Sequence, residues 1–192
     1  MPAVFRLLGA ALLLGGALSA WSGCASIPPV PGAAAATGGP AASAHVIPGV
    51  PFLPQEEETC GPSSLAMLLR YYGKHATTAE IVRETRTAGL RGTLITDLAA
   101  AARRRGVAAE VVDLDVPALR ARISSGQPAI LLVDLGVWAW SRPHYLLAYG
   151  ATPEGVVANS GDQRGMVIPY GTLERQWAKM GNLAIVAAGA AR

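Results

Sequence analysis

The spacing of apolar residues changes once along this chain, and that change restricts the fold to one class. From Gly61 the residues Leu65, Leu68, Leu69 and Tyr72 recur at the three-and-four spacing of one helix face, with Gly73 as a stop. Thr77, followed three places later by Glu80, is a capping box that opens a second helix. A third helix is predicted from Thr93 to Arg105, with Leu94, Leu98 and its alanines turned inward. Beyond Gly106 the pattern becomes short β-favouring runs divided by turn signals: AAEVVDLD, PAILLVDLG, HYLLAYGA, GVVANS, MVIPY and LAIVAA. Pro117 opens a short helix to Ser124, Thr152-Pro153-Glu154-Gly155 suits a hairpin turn, and Thr172 is placed to cap a last helix. Helices first and mostly antiparallel strands afterwards predict an α+β domain.

The first 47 residues lie outside that pattern. Residues 1–23 read as an export signal, with Arg6 before an apolar run that is too short for a comfortable membrane span. They end at Gly23-Cys24, which is similar to the site where bacterial lipoprotein signals are cut before a cysteine that receives lipid. Residues 24–47 then form a lipidated Cys24 and an Ala/Pro/Gly-rich tether, and residues 48–192 the folded domain. Residues 25–45 span on the order of 25 Å as flexible coil and about 65 Å as extended polyproline. Alanine rather than aspartate follows Cys24, so attachment to the outer membrane, facing the periplasm, is the expected location in a Gram-negative cell.

The folded part is short of charge and of ligand clusters. The net charge is +3, and the basic run Arg103-Arg104-Arg105 has no interleaved aromatic residues, so it reads as a solvated helix face and no nucleic-acid partner is expected. Two cysteines and three separated histidines form no four-ligand set, so neither a metal nor a cofactor is expected. His45, at the tether edge, and His75, between helices, read as surface residues. A disulfide between Cys24 and Cys60 is a rival reading for an exported chain, and lipidation of Cys24 excludes it.

Cys60 begins the first helix, where unpaired backbone amides favour a thiolate. Gly61 lets a substrate approach the backbone, and Pro62 suits a first helical turn. A nucleophilic cysteine needs a base, and His144 opens the strongest late strand after the aromatic loop GVWAWSRP. That loop is either a substrate-facing wall or core, with core the preferred reading. The base needs an acceptor for its second ring nitrogen; Asn159, on the next strand, is the first choice and Asp162, in the following turn, the alternative. Gln55, five residues before the thiol, could donate its amide to an oxyanion beside the Cys60 N–H.

PFLPQEEETCGPSSLAMLLRYYGK together with PHYLLAYG resembles the papain-like cysteine peptidases of family 39, which include the domains that remove double-glycine leaders from bacteriocins. The matching elements are Gln55, the Cys60-Gly61-Pro62 helix start, the Tyr72-Gly73 stop, His144-Tyr145 and the acceptor after the hairpin. The resemblance implies a papain-like fold, a peptide or protein substrate, and a separately encoded exporter as a partner. The family usually carries aspartate where this chain offers Asn159. Two functions fit the residues: a lipid-anchored cysteine peptidase, and a module that holds a peptide in the same groove without cutting it.

Overall fold

The computed structural model describes residues 44–188 except 57, 87, 88, 90, 91 and 139, so the signal segment, Cys24 and most of the tether lie outside the described residues. The elements follow in the order β1 (His45–Val46), α1 (Cys60–Tyr71), α2 (Thr78–Thr85), α3 (Ile95–Arg104), β2 (Ala108–Asp113), α4 (Val116–Ser124), β3 (Ala129–Asp134), β4 (Pro143–Ala151), β5 (Gly155–Ser160), β6 (Gln163–Pro169), α5 (Tyr170–Ala178) and β7 (Leu183–Ala188). The strands form one sheet in the order β2-β7-β3-β4-β5-β6, and every pairing among the described residues is antiparallel. β1 pairs with the end of β4 that extends past β3, through His45 and Val46 opposite Ala151 and Gly150. Composition assigned those two residues to the tether, whereas they already belong to the sheet.

α1 is the central helix. All of its residues from Cys60 to Leu69 are buried, polar Ser63 and Ser64 included. It packs on β4 and is covered by α2 and α3. The buried hydroxyls are satisfied, Ser64 Oγ accepting from Gln55 Nε2 at 2.8 Å and Ser63 Oγ lying 3.3 Å from Thr78 Oγ1. Gly61 is fixed by this packing: a Cβ there would stand 2.9 Å from Leu98 Cδ1 and 3.0 Å from Tyr145 Cδ2. The missing side chain lets the start of α1 settle between α3 and β4, which sets Cys60 against the beginning of β4.

The capping box at Thr77 and Glu80 forms as read, with both reciprocal hydrogen bonds. Three other local readings need correction. Leu94 precedes α3 and is 46 % exposed, because the helix begins one residue later at Ile95. α5 begins at Tyr170 with Pro169 at its N-cap, and Thr172, already inside the helix, accepts instead from Arg175 Nη2 at 3.2 Å. The loop GVWAWSRP is not core: Trp138 and Trp140 stand in solvent.

One irregularity in β4 decides which residues meet across the sheet. From the hairpin turn, Ala151 pairs with Val156 and Gly150 with Val157, but the ladder then shifts and continues with Ala148 opposite Ala158 and Leu147 opposite Asn159. Tyr149 is the extra residue of a β-bulge. Gly150 permits it, since a Cβ there would lie 2.8 Å from Val157 Cβ and 3.1 Å from Val46 Cγ2. Because side chains alternate between faces, one inserted residue exchanges the face on which each β5 side chain lies relative to His144.

Candidate active site

The thiol of Cys60 rests at the start of β4. Its sulfur faces the backbone N–H of Tyr145, the amide of the peptide bond that joins His144 to Tyr145, with the amides of Gly61 and Cys60 itself close by. These amides and the positive charge of Arg142 favour a thiolate, but burial outweighs them and pushes the Cys60 thiol above its ordinary value. The helix start alone suggested a lowered pKa. In the folded protein desolvation is the larger effect.

His144 is half-buried, and its Nε2 lies 2.9 Å from Ser160 Oγ. Burial, and secondarily the charge of Arg142, bring its pKa down to about 4. At neutral pH the ring is therefore uncharged. Nδ1 makes no hydrogen bond among the described residues. A ring that accepts the thiol proton at Nδ1 must carry its own proton on Nε2 and donate to Ser160 Oγ.

Asn159 is not brought to His144. Its side chain is fully buried on the face turned to α1, where Nδ2 donates to the Pro51 carbonyl at 3.1 Å and contacts Met67 Sδ at 3.6 Å, while Oδ1 accepts from Gly165 N at 3.1 Å. The bulge at Tyr149 puts Asn159 opposite Leu147, on the Tyr145 side, and turns Ser160 to the side of His144 and Leu146. Asp162 lies exposed in the β5–β6 turn and makes no side-chain hydrogen bond among the described residues. The side chain that meets His144 Nε2 is that of Ser160, a residue the sequence does not single out. The signal was present in Gly150, since a lone glycine inside a strand pattern marks a bulge and therefore a change of face.

Gln55 lies beside the thiol's own backbone. Its Nε2 donates to Ser64 Oγ at 2.8 Å and makes a long contact of 3.4 Å to the Cys60 carbonyl. Its orientation is fixed by Gly161, whose N–H donates to Gln55 Oε1 at 2.7 Å and whose carbonyl accepts from Gln55 N at 2.9 Å. The segment before Cys60 is thus tied to the residue after Ser160. One amide hydrogen of Gln55 is engaged strongly and the other weakly, so turning toward an oxyanion costs only the long contact.

Two cavities flank this group. One, of about 250 Å³, has Cys60 and Gly61 in its wall with Leu94, Ile95, Leu132 and Tyr145. It is smaller than the pockets of about 300–1,000 Å³ that hold whole small ligands, and it suits side chains. The other, of about 540 Å³, lies along His144, Ser160 and Asp162 beneath α5, with Leu146 and Met166 in its wall.

The peptidase C39 family model matches residues 51–189, which takes in every residue of this site. The chain belongs to the peptidase C39 family. Its fold is similar to that of a putative C39-like peptidase from Bacillus anthracis, with a TM-score of 0.65 and 18 % identity over 78 % of this chain and 100 % of that one. The peptidase domain of Streptococcus ComA, a bifunctional ABC transporter involved in quorum sensing, gives 0.61 and 22 % identity over 73 % and 99 %. A double-glycine-motif protease from an AMS/PCAT transporter, solved with a leader peptide, gives 0.55 and 20 % over 72 % and 90 %. At these identities the solved structures establish the fold alone. No curated protein matches the chain. The C39 domain therefore has the mixed α and β architecture of cysteine peptidases and a family assignment consistent with that activity.

The geometry separates two neighbouring positions of this C39 domain. Asn159→Ala should lower stability by about 2 kcal/mol or more in urea denaturation, because it strands the Pro51 carbonyl and the Gly165 amide, yet leave the alkylation rate of Cys60 unchanged. Ser160→Asp should place a carboxylate on His144, raise its pKa and accelerate iodoacetamide alkylation at pH 7 about tenfold or more. In the wild type the rate should climb through the alkaline range, because the thiol titrates above its ordinary value, with no plateau at acid pH.

Proposed function

We propose that the domain is a cysteine peptidase in which Cys60 is the nucleophile, His144 the proton carrier and Ser160 the residue that positions His144. The observation that carries this reading is the placement of the Cys60 sulfur at the amide following His144, while His144 turns its Nε2 to Ser160. Because thiol and imidazole are both neutral at rest, the proton leaves sulfur during attack rather than before it. The S–H proton passes to His144 Nδ1 as sulfur bonds to the peptide carbon, and the carbonyl electrons move onto oxygen. The Cys60 N–H, an amide of the first helical turn, and Gln55 Nε2 are the donors for that oxyanion. Collapse breaks the C–N bond, the leaving amine takes the proton from His144, and water hydrolyses the thioester by the same route in reverse.

A second reading has its own observation. The acceptor is a neutral serine, so nothing holds an imidazolium against burial, which suits a domain that binds a peptide in the groove and does not cut it. Digestion of a randomised peptide library with wild type and Cys60→Ala separates the two. Peptidase activity predicts cleavage by the wild type and none by the variant; binding without cleavage by either contradicts it.

The location follows the same proposal. Cys24 carries lipid and holds the domain at the outer membrane, facing the periplasm, with a peptide as substrate and a separately encoded exporter as partner. Cell fractionation should find the wild type with membranes and Cys24→Ser in the soluble periplasm. Wild type recovered in the soluble fraction alongside the variant would mean a cleaved signal and no anchor.

A further inference from the structure

Six large apolar side chains stand exposed among the described residues; two of them line the cavities at Cys60 and His144, and three more stand on the loop that leads into the strand of His144. Leu94, 46 % exposed, lines the Cys60 cavity, and Val167, also 46 %, lines the His144 cavity. The other three, Val137 at 70 %, Trp138 at 101 % and Trp140 at 82 %, sit within four residues on the loop between β3 and β4. That loop joins the two cavities: Pro143 after it lines the first, and Leu135 and Arg142 at its base line the second.

The loop is also built to hold its tip in place. Asp134 Oδ1 accepts from the N–H groups of Gly136 and Arg142, each at 2.7 Å, and these amides keep the carboxyl below the usual carboxylate range. The ends are closed by Leu135 N donating to the Arg142 carbonyl at 3.0 Å, and the tip by Trp140 N donating to the Val137 carbonyl at 3.1 Å. From the neighbouring helix, Lys179 Nζ donates to the Gly136 carbonyl at 3.2 Å. Trp138 itself has a φ of 57°, a conformation uncommon for a bulky side chain. A well-braced base beneath two indoles in water is a poor arrangement for stability and a suitable one for contact, since indoles supply large binding area with few torsions to immobilise.

We propose that the tip carrying Trp138 and Trp140, with Leu94 and Val167, is the specificity surface of the groove and receives large apolar residues of a peptide substrate on both sides of the bond presented to Cys60. The inference rests on the peptidase reading for the word substrate, and its binding half stands without cleavage. A peptide fits better than a lipid surface. Leu94 and Val167 stand one in the wall of each cavity with the tryptophan loop connecting them, and the chain enters the sheet through β1 at the far end of β4 from this loop.

The test uses wild type, Cys60→Ala, and Trp138→Ala/Trp140→Ala made in both backgrounds. The probe is a library of short synthetic peptides randomised at every position. Peptides cleaved by the wild type, and peptides retained on immobilised Cys60→Ala, should be enriched in Trp, Phe, Leu, Ile and Met. The tryptophan-loop variant should lose that enrichment, its kcat/KM falling about tenfold or more through KM, with an unchanged melting temperature because both side chains are in solvent. Retention that depends on the two tryptophans, with no cleavage by the wild type, upholds the surface and removes the peptidase. Cleavage with the same preference in the loop variant overturns the surface and leaves the peptidase; retention with the same preference, without cleavage, overturns both. A blue shift of tryptophan emission with phosphatidylglycerol/phosphatidylethanolamine vesicles, and no effect of the loop variant on peptides, overturns it in favour of a membrane contact.

Discussion

The inserted residue in β4 determines what the site can be. With Tyr149 bulged over Gly150, the ladder between β4 and β5 is displaced by one residue, and a one-residue displacement in a sheet is a change of face. Without it, Asn159 would fall opposite Ala148, on the side of His144. With it, Asn159 turns inward, where it joins the Pro51 segment to Gly165 of β6, and Ser160 takes the place beside the imidazole. The turn between β5 and β6 supplies Gly161, which holds Gln55 at both its backbone and its side chain. Cys60, His144, Ser160 and Gln55, the four residues of the proposed site, are thus arranged around one register.

A serine in the acceptor's place alters the electrostatics more than the geometry. It supplies an oxygen at hydrogen-bonding distance but no charge to set against burial, and Arg142 adds a positive charge that lowers the proton affinity of His144 further. The same arginine favours a thiolate on Cys60, but desolvation of the sulfur is the larger effect. Thiol and imidazole are both neutral at rest. In the proposed mechanism such a site still transfers a proton as a bond forms, and it gives up the standing thiolate that an ion pair would provide.

Much of this was legible in the chain because it depends on local rules. Helical spacing from Gly61, the Thr77–Glu80 capping box and the β-favouring runs after Gly106 specify an α+β domain, and Cys60, Gln55 and His144 are distinctive residues at distinctive places. The third partner was not legible in the same way, because facing across a sheet depends on register, and register here depends on a bulge that only Gly150 hints at. In the sequence Gly61 suggests room for a substrate, but its Cα is closed in by Leu98 and Tyr145, a packing relation between residues far apart in sequence. For the aromatic loop the sequence favours core over a substrate-facing wall, because tryptophan is usually covered. Its exposure comes from the Asp134 brace at its base, and composition carries no sign of that.

The charge state of His144 tests the account most directly. A titration of its ring followed by NMR, with the resonance assigned by loss in His144→Gln, should show a neutral imidazole throughout the physiological range, protonating only near pH 4 and with the proton on Nε2. A ring that is an imidazolium at pH 7, and loses its proton together with a change at Cys60, would mean a standing thiolate–imidazolium pair and would contradict the account.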